Sequence, residues 1–168
     1  MTDSCTEING LQASNFELTV KEIFNPKVAT FGHATVTENK AKEILSKGIY
    51  VRNSEIGSTM WEFVKTHVPM EEQMGDLVDI IKNWTYMSGK LRYLVVAQLP
   101  LPNTDMVSTG NEQLKMNKYF NSFLEQLEHP HEIDGKIFNY KLPSQYIRGY
   151  IDTQSGLFIP NLDYRKAS

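Results

Sequence analysis

The chain has 168 residues, 40% of them hydrophobic and 22% charged, enough to bury one core and short for two. A formal charge of -3 and a pI near 5.8 exclude a broad cationic footprint for nucleic acid, so general DNA binding is not expected. The single cysteine, Cys5, rules out an intramolecular disulfide and a thiolate cluster within one chain, which fits a reducing, cytoplasmic setting.

Residues 1–15 are polar and turn-rich, without the basic and apolar blocks of a secretory signal, and are expected to be a loose lead-in to one domain spanning residues 1–168. Thr35 and Glu38 form a T-x-x-E capping box, and Ala41, Ile44 and Leu45 follow at helical spacing until Gly48 offers a left-handed stop. The pairs Glu38 with Lys42 and Glu43 with Lys47 place the acid first at i, i+4, the favourable order on a solvated helix face.

Ile49-Tyr50-Val51 predicts a strand. Ser58 or Thr59 is placed to cap a second helix, whose inward residues would be Met60, Trp61, Val64, His67 and Val68, with Pro69 as its end. Met74, Leu77, Val78, Ile81 and Trp84 trace the stripe of a third helix, preceded by Glu71 and Glu72, acids suited to a helix start. The apolar run Tyr93 to Ala97 predicts a central strand covered on both faces and closed by Pro100. Met116, Phe120, Phe123 and Leu127 suggest a fourth helix. The tail alternates as strands do, with Phe138, Tyr140 and Leu142 on one face, and Thr153 to Gly156 predicts a hairpin turn into Leu157-Phe158-Ile159. Strands and helices mix without regular βαβ alternation, so the expected class is α+β.

No segment has the roughly 18 apolar residues of a membrane span, and neither a phosphate loop nor a serine hydrolase elbow occurs. His129-Pro130-His131-Glu132 is a weak metal motif with no distant further ligand, so no metal is assigned.

The order H-A-T-x-x-E-N-x-A-x-x-I-L-x-x-G-I, from His33 to Ile49, resembles the first nucleotide-binding motif of the ADP-ribosyltransferase fold, in the branch where His-Gly-Thr opens the site. The tail Tyr146-Ile147-Arg148-Gly149-Tyr150-Ile151-Asp152 resembles the last strands of that fold. The middle of the chain follows it only in the order of elements. The resemblance implies a split antiparallel β-sheet with flanking helices, clasping NAD in a central cleft. It implies that His33 holds a ribose, that Ala34 and Thr35 line the nucleotide site, that Ser58 and Thr59 fall at the second motif position, and that Gln145 occupies the place of a late glutamate. Tyr50 is positioned to stack on a ligand ring.

Gln145 keeps the hydrogen bonds of a glutamate and loses the charge that would stabilise an oxocarbenium-like transition state. Ala34 adds a methyl where the family has glycine. Two functions therefore stand side by side: NAD binding with transfer of ADP-ribose to a macromolecular target, and an inactive binding or inhibitory module acting through a protein partner. The plainer alternatives are that His33 is a core histidine, that Ser58 and Thr59 are caps, and that Gln145 is a surface amide.

Overall fold

A computed structural model of the chain describes residues 14–52, 61–64, 68–84, 91–100, 131–133 and 136–165. The first element, α1 (Asn15–Ile23), starts where extended Ser14 turns its hydroxyl to accept from the Glu17 amide at 3.2 Å. It buries Thr19, Val20 and Ile23. The chain then enters β1 (Val28–Thr35).

Helix α2 (Glu38–Lys47) follows. Alone in water a helix of this length would be marginal, and its exposed ion pairs, Lys42 to Glu38 at 4.0 Å and Lys47 to Glu43 at 3.6 Å, add little. Burial of Ile44 and Leu45, at roughly 1.5–3 kcal/mol per side chain, contributes more and holds the helix in place. Gly48 ends the helix at φ 81°, donating its amide to Ile44 at 2.7 Å, and a Cβ there would run into the Leu142 carbonyl. Glycine is thus required both by the backbone and by the approach of the next layer.

Two antiparallel sheets form. The larger contains β1, β3 (Trp61–Val64), β4 (Tyr93–Pro100), β7 (Ile147–Asp152) and β8 (Phe158–Pro160), in the order β3-β1-β4-β7-β8. The smaller contains β2 (Ile49–Arg52), β5 (His131–Ile133) and β6 (Lys136–Leu142), in the order β2-β6-β5. Helix α3 (Met70–Lys82) lies between β3 and β4 in sequence.

Both faces of the large sheet are covered. On one, Phe31, Val95, Ala97 and Tyr150 pack with Ala41, Ile44 and Leu45 of α2 and with Ile49 and Leu142 of the small sheet. On the other, Leu94, Val96 and Ile151 pack with Val20 and Ile23 of α1 and Leu77, Val78 and Ile81 of α3. This double cover is why β4 reads as an unbroken apolar run. The fold is α+β, as expected, and the hairpin at Thr153 to Gly156 joins β7 to β8.

Two local expectations are corrected. Trp61–Val64 is a strand, not part of a helix: it pairs antiparallel with β1, Gly32 opposite Trp61 and Thr30 opposite Val64, and an available edge outweighs a helical spacing carried by so few residues. Pro69 sits at the N-cap of α3. The cap of α2 is Thr37, whose Oγ1 accepts from the Lys40 amide at 3.1 Å. Thr35 stays in the β1 ladder opposite Tyr93 and donates its hydroxyl to the Thr37 carbonyl at 3.2 Å. Helix α1 is an addition to the expected elements, although Ser14-x-x-Glu17 is a capping box. The fourth helix expected around Met116 to Leu127, along with Cys5, Ser58, Thr59 and His129-Pro130, lies outside the described residues.

Candidate functional site

Register builds the site. His33 pairs with Val95, and Val95 pairs with Tyr150. Directly opposed residues project from the same face, so these three form one row across β1, β4 and β7. Val95 and Tyr150 belong to the core under α2, which places half-buried His33 on that face. Its Cα lies roughly 10 Å from that of Tyr150, two strand spacings away. Ala34, by alternation, packs into the opposite cluster, so its methyl faces away from the row of His33.

The neighbouring row is Thr35, Tyr93 and Asp152. Arg92 grips Asp152 with both arms, Nε to Oδ1 and Nη2 to Oδ2, each at 2.8 Å. Its guanidinium also lies 5.2 Å from the centre of the Tyr93 ring. The Arg92 hydrogen bond holds the Asp152 carboxyl below its ordinary pKa. Tyr93 meets Tyr150 edge to face, with centroids 6.1 Å apart.

Tyr150 donates its hydroxyl to Oε2 of Glu38 at 2.6 Å. Burial, then the Glu38 carboxylate, push the Tyr150 phenol well above its usual pKa, so it is a fixed neutral donor. Glu38 thereby has one oriented oxygen while its side chain remains 45% exposed. This acid was legible only as a helix-start residue and as the partner of Lys42. The tyrosine that orients it is 112 positions away, a pairing that no local pattern reveals.

Gln145 lies half-buried in a 3-10 turn, Ser144–Tyr146, that carries the chain from β6 of the small sheet to β7 of the large one. The turn leads into Ile147, which pairs with Ala97 as Ala97 pairs with Phe31, and that row is the one next to the row of His33. Tyr50 stands opposite Lys141 in the small sheet, whose Ile49 and Leu142 pack on the same face. Thus His33, Thr35 and Gln145 come to one side of the large sheet, bordered by α2 and the strand of Tyr50. Glu71 and Glu72 are exposed at the start of α3, across the sheet from this face.

Among the described residues no group of three or more His, Cys, Asp and Glu gathers as a metal site, and no helix is long and apolar enough to cross a membrane. Comparison with protein-family models, with curated proteins and with solved structures finds no match.

Proposed function

We propose that the chain is an ADP-ribosyltransferase-like protein that holds NAD along the α2 face of the large sheet, between His33 and the turn of Gln145. One observation carries this reading: 112 positions apart in the sequence and each at the motif position the resemblance names, His33 on β1 and Gln145, in the turn that leads into Ile147 on the adjacent row, come to one face of the large sheet. They do so where two antiparallel sheets meet.

In this reading the His33 imidazole hydrogen-bonds a ribose hydroxyl and Thr35 stands beside it in the neighbouring row. The Gln145 amide bonds the nicotinamide-side ribose. If turnover occurs, the bond between nicotinamide and ribose breaks and ADP-ribose passes to a macromolecular acceptor. Losing one group that stabilises transition-state charge costs about 10²–10³ in rate. Glu38 and Asp152 do not replace it, because the first is tied to Tyr150 and the second to Arg92. That commitment of both acids favours a second reading on the same scaffold, a module that binds the nucleotide without turnover and acts through a protein partner.

Thermal melting with increasing NAD, followed by an assay for released nicotinamide, separates these readings. A saturable rise in melting temperature with nicotinamide release supports transfer or hydrolysis. A rise without release supports the binding module, and no rise removes NAD from both.

A further inference from the structure

The turn that carries Gln145 is fastened by a residue far along the chain. Asn161 follows β8, and its side-chain amide nitrogen reaches carbonyls from separate elements: Leu45 in the last turn of α2 at 3.0 Å, Ser144 at 3.1 Å and Ile147 at 3.0 Å. Ser144 and Ile147 flank Gln145 and Tyr146. The Asn161 backbone amide donates to Arg148 at 3.0 Å, and the Arg165 amide donates to Gln145 itself at 2.9 Å. The segment from Asn161 to Arg165 therefore lies along the turn as a strap. Asn161 is held in turn, because its Oδ1 accepts from the Asp163 amide at 3.2 Å.

The chemistry calls for this side chain. The Leu45 carbonyl belongs to the last turn of α2, where carbonyls lack intrahelical partners, and the Ser144 carbonyl, which already accepts from the Ile147 amide, has a second lone pair to fill. Asn suits the place: its two N–H donors span the three carbonyls with one hydrogen shared, and its oxygen is left as an acceptor for its own loop. Aspartate has the same shape and no donor.

We propose that Asn161 is a positioning residue for Gln145: by joining α2, the 3-10 turn and β7 it fixes where the Gln145 amide stands relative to the His33 row. This rests on the functional reading above. A misplacement of about 1 Å at a binding or reacting group can cost on the order of 100-fold, so the strap sets ligand affinity without touching the ligand.

The test uses the full chain, with Asn161→Ala and the isosteric Asn161→Asp, so that one remains if the other does not fold. Tyr164→Phe is the control, removing the hydroxyl that donates to Gln98 at 3.1 Å and leaving the Asn161 amide unchanged. Hydrogen exchange is read at the amides of Tyr146 and Ile147, which close the turn onto Pro143 and Ser144, and NAD affinity is read by calorimetry. Loss of the Asn161 donor should speed exchange at those amides by about tenfold, leave α3 unchanged, and weaken NAD binding by about tenfold. Tyr164→Phe should do neither. In a Gln145→Ala background the Asn161 change should cost less than about twofold more, the non-additivity expected of residues acting as a unit.

Unchanged exchange would overturn the strap. Faster exchange with fully additive losses of affinity would make Asn161 a stabiliser of the fold and not a positioner of Gln145. Absence of NAD binding in the unaltered protein would overturn the functional reading and with it any role toward NAD, while the exchange arm would still report whether Asn161 holds the turn.

Discussion

Tyr150 on β7 and Glu38 at the first turn of α2 are joined by a 2.6 Å hydrogen bond from the phenol to the carboxylate. It pins the start of the helix to β7 of the large sheet, in the row that runs from His33 through Val95 to Tyr150. The junction from His33 to α2 is therefore set by tertiary contact as well as by the Thr37 cap.

Replacing Tyr150 by Phe should cost about 1.5–3 kcal/mol, the usual range for a hydrogen bond to a charged group. The phenol pKa is raised in the folded protein, so its contribution is complete below the unfolded value near 10 and is lost as pH rises through the folded value. Melting curves of the two proteins should run parallel up to about pH 10, and above it that of the unaltered protein should fall more steeply than that of Tyr150→Phe. Curves that stay parallel there as well would mean that the phenol is not held as described.

Asp152 has the opposite sign. Its folded pKa is lowered by Arg92, so its contribution is present above the unfolded value near 3.9 and fades as pH falls through the lower folded value. Because the Arg92 side chain is 36% exposed, solvent screens the pair and its contribution is small. Acid unfolding of Arg92→Gln should begin at higher pH than that of the unaltered protein. Coincident acid limbs would deny the pair any role.

Gly48→Ala should destabilise by about 1–3 kcal/mol, from the positive φ alone, and by more if Leu142 cannot retreat. Urea unfolding measures it, and a change below about 0.5 kcal/mol would mean that α2 ends differently.

Gln145→Glu restores the charge that the resemblance calls for. Nicotinamide release should rise by about 10- to 100-fold over any basal rate, with little change in NAD affinity. A flat response in a variant that still binds NAD would place the reacting acid elsewhere.

The parts of the fold that were legible were those with long, unambiguous periods. Ala41, Ile44 and Leu45 before Gly48 marked α2, the stripe from Met74 to Trp84 marked α3, and the run from Tyr93 marked a doubly covered strand. Trp61–Val64 failed because so short a segment fits either period, and its strand identity comes from the edge of β1, which is remote in sequence. The cap of α2 slipped from Thr35 to Thr37 because both threonines satisfy the local pattern and only the ladder pairing of Thr35 with Tyr93 decides between them. At the candidate site His33 and Gln145 stand out by motif position. Glu38 as the Tyr150 partner and Asn161 as the fastening of the turn depend on contacts spanning 112 and 116 positions, which no window of sequence contains.

The central claim is that the His33 imidazole binds NAD on the α2 face and is not merely part of the core. Titration calorimetry with NAD on the unaltered protein and on His33→Ala, read beside their melting temperatures, tests it most directly. The claim predicts saturable binding that His33→Ala weakens by about tenfold or more with only a small change in melting temperature. Equal affinities in the two proteins, or a melting loss large enough to explain the whole effect, would contradict it.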